Sequence, residues 1–292
     1  SSPRQALCHT TVTSLMTTMK HSPSNLVLAN LLCQLPALSA QVISTEEGEV
    51  ARRLTGPSGT EFQVNTYTTN AQARPSITAL TGGGFVVVWQ TDGQDGSGNG
   101  VYGQRYNAMG ATDGSEFQVN TYTTNTQGFP STGGLVDGGF VVAWHCDGQD
   151  GSGWGIYGQR YSAAGMTAGS EFRVNTYTTS HQSNPSIAGL EDGDFVVVWE
   201  SNGQDSSDYG IYGQRYNATG ATVGGEFRVN TYTANSQGGP SMTGLEDGGF
   251  VVVWTSSGQD GSGDGIYGQR YNATSATVGS EFQVNTNTTS DQ

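Results

Sequence analysis

Short stretches of alternating apolar and polar residues, separated by glycine-rich polar segments, extend over most of the chain. In the first set, residues 61–67 (EFQVNTY) alternate, residues 76–80 (SITAL) follow, residues 85–89 (FVVVW) are apolar throughout, and residues 101–106 (VYGQRY) close the set. Alternation is typical of a half-buried strand, and a continuous β-branched and aromatic run is typical of a strand buried on both faces. The pattern predicts an antiparallel meander of four strands with residues 85–89 central.

This set of stretches returns at a fixed spacing of 55 residues. The motif EFxVNT begins at residues 61, 116, 171, 226 and 281. The apolar run ends each time on a tryptophan: Trp89, Trp144, Trp199 and Trp254. A period of this length built from four short strands is typical of a β-propeller. We therefore predict an all-β, propeller-like array of four-stranded antiparallel meanders, with complete units at 61–115, 116–170, 171–225 and 226–280 and partial strands at 49–54 and 281–292.

The first forty residues lack the repeat. A Met-Lys pair at residues 19–20, an apolar run at residues 26–35 and the small residues after it match a secretory signal peptide, and the run is too short for a membrane span. The alternative is that residues 1–40 form a helical cap. On the first interpretation, the mature protein begins near Gln41, is secreted or extracellular, and consists of one repeat domain over residues 41–292.

Composition changes this picture in two respects. The net charge is −14, with 25 acidic residues against 11 Lys and Arg, so the clustered positive charge that nucleic acid requires is lacking, and the balance favours an extracellular protein or a binder of cations. The three cysteines, Cys8, Cys33 and Cys146, are too few and too widely spaced for a disulfide framework or a metal knuckle. We expect Cys146 to be a free thiol.

The combination of EFQVNTYTT, DGGFVVVW, GQDGSG and GIYGQRYNA resembles the repeats of large secreted bacterial proteins that often also carry RTX-type calcium-binding segments. The resemblance covers about residues 55–292. It implies propeller-like repeats, an extracellular place, a role in adhesion or in a matrix, and calcium as a possible cofactor. The chain lacks the nonapeptide calcium repeats GGxGxDxUx of that group.

An invariant aspartate stands in the glycine-rich loop after each apolar run: Asp95, Asp150, Asp205 and Asp260. Calcium takes six to eight oxygen ligands from carboxylates and carbonyls on flexible loops, so these aspartates are candidate metal ligands. The alternative is that each one forms a turn by accepting a hydrogen bond from the backbone N–H two residues on. The sequence leaves both interpretations open.

Two positions vary within this fixed frame. The residue after each tryptophan is Gln90, His145, Glu200 or Thr255, and a residue at the end of each loop is Asn99, Trp154, Tyr209 or Asp264. Variable side chains on a constant scaffold are typical of binding loops, and the second set is our candidate ligand-binding set, with Trp154 and Tyr209 as platforms for a sugar. The alternative is neutral variation at tolerant loop tips.

These observations favour a secreted binding module for glycans or for an extracellular surface, with calcium as a possible aid, and without a membrane span. One alternative is a propeller hydrolase or lyase that acts on a polysaccharide, with Glu200 and His145 as candidate catalytic residues. Glycoside hydrolysis needs two carboxylates, and only Glu200 is a non-repeated carboxylate directly after a core strand, so the balance is against an enzyme. Another alternative is a structural repeat of a large adhesin or matrix protein.

Overall fold

The computed structural model describes residues 61–291 and contains four four-stranded sheets there. The chain divides after Phe62, and all the sheets lie in the second unit. The first two sheets comprise β1 (Gln72–Ala79), β2 (Phe85–Asp92), β3 (Asn99–Tyr106), β4 (Phe117–Gln118), β5 (Gln127–Gly134), β6 (Phe140–Asp147), β7 (Trp154–Tyr161) and β8 (Phe172–Arg173). The other two comprise β9 (Gln182–Gly189), β10 (Phe195–Asn202), β11 (Tyr209–Tyr216), β12 (Thr222–Arg228), β13 (Gln237–Gly244), β14 (Phe250–Ser257), β15 (Asp264–Tyr271) and β16 (Thr277–Gln283).

Each sheet is an antiparallel meander in chain order, as the repeat predicts. The apolar run forms the second strand and pairs on both sides, so that β2 lies between β1 and β3. Val87 is 8% exposed and Val197 is fully buried, which confirms that the run is central. Among residues 61–291 no helix is long and apolar enough to cross a membrane.

The sheets are offset from the sequence repeat by one strand. The EFQ motif, which the alternation places first in its unit, forms the outer fourth strand of the preceding sheet: Phe117 pairs with Gly103 of β3, and residues 281–283 complete the fourth sheet. The reason is steric, because a Cβ atom at Gly103 would stand 2.8 Å from Cζ of Phe117. A glycine in the third strand thus makes room for the phenylalanine ring. The leader at 1–40, the strand at 49–54, Cys8 and Cys33 lie outside the described residues.

Hydrophobic cores fill the spaces between neighbouring sheets. Val86 and Val88 of β2 pack with Phe140 and Trp144 of β6, and the arrangement recurs between the second and third sheets and between the third and fourth. Alternate residues of each apolar run therefore pack against the sheets on opposite sides of it. Burial of a large apolar side chain contributes roughly 1.5–3 kcal/mol, so each of these repeated layers stabilises the contact between two sheets.

The invariant glutamates hold the segments that cross between sheets by hydrogen bonds. In the segment from β4 to β5, the backbone N–H and the hydroxyl of Thr121 donate to Oε2 of Glu171, at 2.7 and 2.9 Å. Nε2 of Gln149 donates to the other oxygen of Glu171 at 2.7 Å. One carboxylate thus fastens the entering segment to the outer strand and to the β6–β7 loop of the same sheet.

The first strands of the four sheets lie side by side. Hydroxyls join them: the N–H of Thr132 donates to Oγ of Ser76 at 3.2 Å, and the N–H of Met242 donates to Oγ of Ser186 at 3.1 Å. Ile187 of β9, which has a first strand on either side, is 6% exposed, whereas Ile77 of β1 is 65% exposed. Strands β1 and β13 therefore stand at the two ends of this row.

Candidate functional site

The variable positions converge on one edge of the sheets. In an antiparallel meander the end of the second strand lies beside the start of the third and the start of the first; His145, for example, pairs with Gly128 of β5 and Ile156 of β7. We call this edge the loop face. It comprises the loops β2–β3, β6–β7, β10–β11 and β14–β15 and the starts of the four first strands.

Four rings form a continuous aromatic ladder on the loop face: Phe129, His145, Trp154 and His181. The centroids of Phe129 and His145 are 4.8 Å apart, and His145 stacks on Trp154 at 4.7 Å with 18° between the planes. The ring of His181, which comes from the segment that enters the third sheet, lies 5.0 Å from Trp154. The guanidinium of Arg74 from the first sheet sits 4.3 Å above Phe129. Side chains from three sheets thus meet in one surface.

His145 is the buried member of the ladder. It is 2% exposed, and burial lowers its pKa from 6.5 to about 4, with a smaller contribution from His181 in the same direction. The ring is therefore neutral near pH 7 and acts there as an aromatic spacer. Its Nδ1 is buried without a hydrogen-bond partner among the described residues. Nδ1 of the exposed His181 accepts the backbone N–H of Trp154 at 3.2 Å.

Two residues of the aromatic surface, Arg74 and Phe129, were not predicted from the sequence. Each stands at a β-bulge in its first strand with a positive φ, of 55° and 52°, and Asn184 and Gly239 hold the same position in the other sheets. Left-handed backbone is costly for a bulky residue, roughly 1–2 kcal/mol, and bulges re-aim side chains beside functional sites. The signal in the sequence is the residue before proline in the motif QxxP, which is Arg, Phe, Asn or Gly within a constant frame.

Glu200 connects the third and fourth sheets. Its carboxylate is 8% exposed and accepts hydrogen bonds from the N–H of Gly239 at 2.5 Å, from Nδ2 of Asn184 at 2.8 Å and from Oγ of Ser183 at 3.2 Å. Gln90 at the equivalent position accepts the N–H of Phe129 at 3.1 Å. The position after the core tryptophan is therefore a junction between sheets. His145 and Glu200 occupy this position in neighbouring sheets.

The candidate ligand-binding set lies at the starts of the third strands. Asn99, Trp154, Tyr209 and Asp264 are all half-buried at equivalent places on the loop face. Trp154 belongs to the ladder. Tyr209 lies close enough to Glu200 for that carboxylate to raise the pKa of its phenol, although burial is the larger cause.

The invariant aspartates form turns. Oδ1 of Asp95 accepts the N–H of Ser97 at 3.2 Å, and the other three accept from Ser152, Ser207 and Ser262 at 3.1 Å. This bond confirms the turn-forming interpretation. Oδ2 of Asp95 and the neighbouring Oε1 of Gln94 are both buried without partners, and so are their equivalents in the second and third sheets. These oxygens are available as ligands for a cation. Among residues 61–291, however, no group of three His, Cys, Asp or Glu side chains could hold a metal ion.

Cys146 is a free thiol, as expected from the sequence, and it is buried. Burial is the main cause that raises the pKa of its thiol to about 12, and Nε2 of Gln127 lies 3.6 Å from the sulfur. A thiol in this state is a poor nucleophile, because the thiolate is the reactive form.

A cavity of about 530 Å³ lies between the far halves of the four first strands. Its lining runs from Ile77 in the first sheet to Glu246 in the fourth and includes neither His145 nor Glu200. The two candidate catalytic residues therefore lie outside this cavity, on the loop face.

No family model matches the chain, and no curated protein matches it. Several solved structures share its fold. A Penicillium chrysogenum α-L-arabinanase complexed with arabinobiose has a TM-score of 0.52 and 15% identity, over 74% of this chain and 68% of that one. A Fusarium graminearum family GH93 α-L-arabinofuranosidase with arabinobiose has a TM-score of 0.51 and 11% identity, over 73% and 66%. The Hadza microbial sialidase Hz136 has a TM-score of 0.50 and 12% identity, over 75% and 47%. The repeat region is an all-β propeller-type fold, of the kind that these carbohydrate-active enzymes also have.

Proposed function

We propose that the protein binds a carbohydrate polymer on the loop face. The observation that carries the proposal is the aromatic ladder, which presents half-buried Phe129 and Trp154 of the second sheet and exposed His181 of the segment that enters the third sheet on one edge. The similar solved structures include two with arabinobiose, which supports a sugar as the ligand class.

The chemistry of the ladder suits a sugar. Aromatic rings offer large apolar areas with few rotamers to freeze, and the C–H faces of a pyranose or furanose ring are apolar. The frame under three of the four rings is rigid, because Phe129, His145 and Trp154 stand on the paired strands of the second sheet. Little ordering is then needed on binding, which favours affinity.

The test is a glycan array followed by calorimetry on the glycans that bind. Trp154→Ala should weaken binding by about 1–3 kcal/mol, the range for stacking on aromatic platforms. The matched control is Met109→Ala, which removes an exposed apolar side chain from the turn after β3, at the edge opposite the loop face. Equal affinity of Trp154→Ala and the parent protein would remove the ladder from the binding site.

A second candidate function is hydrolysis of a polysaccharide. The fold shared with glycoside hydrolases favours it, and Glu200 supplies a buried carboxylate on the loop face. Hydrolysis requires a second carboxylate at a set separation, as general base or nucleophile. Release of reducing ends from arabinan that disappears in Glu200→Gln, while binding persists, would establish an enzyme in place of a binding module.

The proposal includes an extracellular location, which the signal-like residues 19–40 support. It also includes a role in adhesion or in a matrix, which the resemblance of the repeats supports. Calcium is the proposed cofactor, held by the unpartnered oxygens of the invariant aspartates and the neighbouring glutamines.

A further inference from the structure

Arg74 is an unpaired cation on the loop face. It is exposed at the bulge of β1, and it has no carboxylate partner within residues 61–291. Four arginines at one repeated position of the third strands are, in contrast, each paired with aspartate: Arg105, Arg160, Arg215 and Arg270. Arg173 and Arg228 also have no ion pair among residues 61–291, so what distinguishes Arg74 is its place on the loop face against the first ring of the ladder.

The side chain of Arg74 is also held in place. Its guanidinium lies 4.3 Å from the centroid of Phe129, at the distance of a cation–π contact. No hydrogen bond or ion pair among residues 61–291 engages the guanidinium, so its N–H groups are available to a ligand. A planar fork of this kind matches the two oxygens of a carboxylate.

The backbone supports the same arrangement. Arg74 and Phe129 both have positive φ values, at equivalent bulges of neighbouring first strands, although neither residue type favours that conformation. Strain of this kind persists only where the surrounding structure holds it, and it occurs preferentially at ligand sites. The bulges bring the cation over the first ring of the ladder.

We propose that Arg74 binds the carboxylate of an acidic sugar whose ring packs on the aromatic ladder, so that the ligand is a uronate-bearing polysaccharide. This inference rests on the proposed carbohydrate-binding function. It adds the chemical class of the sugar and the residue that selects it. Arg74 supplies a charged donor in contact with the ladder, while the rings of His145 and Trp154 supply apolar surface.

The test compares two probes that differ only in the carboxylate: an oligogalacturonide and its fully methyl-esterified form. Calorimetry on the full chain should give at least tenfold tighter binding of the acidic probe. Arg74→Gln should remove that preference by weakening only the acidic probe, about ten- to hundredfold, as expected for loss of a hydrogen bond to a charged group. Arg74→Lys should retain part of it, because it keeps the charge and loses the fork.

The matched control is Arg173→Gln, which removes an exposed arginine with no ion pair among residues 61–291 from the outer strand of the second sheet and should change neither affinity. Thermal unfolding of each variant verifies the fold. Equal binding of both probes, with no effect of Arg74→Gln, would overturn the acidic-sugar inference and leave the proposed function intact if Trp154→Ala still weakens binding. If neither probe binds, and no glycan on the array binds either, both the acidic-sugar inference and the proposed function are overturned.

Discussion

Replacement of His145 by glutamine should make the protein less sensitive to mild acid. His145 is buried in the aromatic ladder, and its pKa falls from 6.5 to about 4 because burial penalises the imidazolium. Between these two values the unfolded chain takes up a proton that the folded protein does not. The stability is therefore fully present above pH 6.5 and is lost as the pH falls towards 4.

The size of the effect follows from the two pKa values. A difference of one unit corresponds to 1.36 kcal/mol, so the lost stability reaches about 3 kcal/mol below pH 4 and is about 2 kcal/mol at pH 5. Glutamine is the appropriate replacement, because Gln90 occupies the same position in the first sheet and accepts the N–H of the bulge residue there. In His145→Gln the amide should accept the equivalent N–H of Asn184.

The assay is urea unfolding of the parent and of His145→Gln at pH 7 and pH 5. The parent should lose about 2 kcal/mol more than the variant between these values, and the titration of carboxylates common to both cancels in the comparison. Equal losses would show that His145 titrates in the fold as it does in the unfolded chain, which would contradict its burial as a neutral ring.

Three further predictions concern the frame and the metal. Gly158→Ala should destabilise the fold by about 1–3 kcal/mol, because its Cβ would meet the ring of Phe172 at 2.8 Å, whereas Gly225→Ala, which meets nothing within 4 Å, should be close to neutral in chemical denaturation. Glu171→Ala should cost about 1–3 kcal/mol, since three donors lose their acceptor; Glu171→Gln, which keeps one carbonyl oxygen, should cost less. If calcium binds the invariant aspartates, EDTA should lower the melting temperature, and an unchanged temperature would leave them as turn-formers only.

The sequence predicted that four-stranded sheets form, but it did not predict which sheet each EFQ strand joins. The run at residues 85–89 is apolar at every position, and only a strand covered on both faces can satisfy such a pattern, so its central place followed directly. The EFQ motif was assigned to the wrong sheet, because alternation identifies a strand without naming its partner. That partner is fixed by the contact between Phe117 and Gly103, which joins residues of two successive repeats.

The site was predicted in part for a similar reason. Variation within a constant frame identified Trp154 and His145 as two separate candidates, and the structure brings their rings into contact. Arg74 and Phe129 were missed because their position depends on left-handed backbone, which neither side chain favours and which the surrounding sheet imposes. His181 joins the ladder from the segment that enters the next sheet, 27 residues from Trp154 along the chain, a contact that no local pattern indicates.

The one-strand offset between repeat and sheet bears on how such a region changes over generations. Each sheet takes its outer strand from the repeat that follows, and the EFQ motif is almost the same in every repeat. A duplication or deletion of 55 codons, wherever it begins, therefore supplies each sheet with an equivalent outer strand. The number of sheets is free to drift without leaving any sheet incomplete. The few loop-face residues of each copy can then differ without disturbing the frame, as the rings of the ladder do in the second and third repeats.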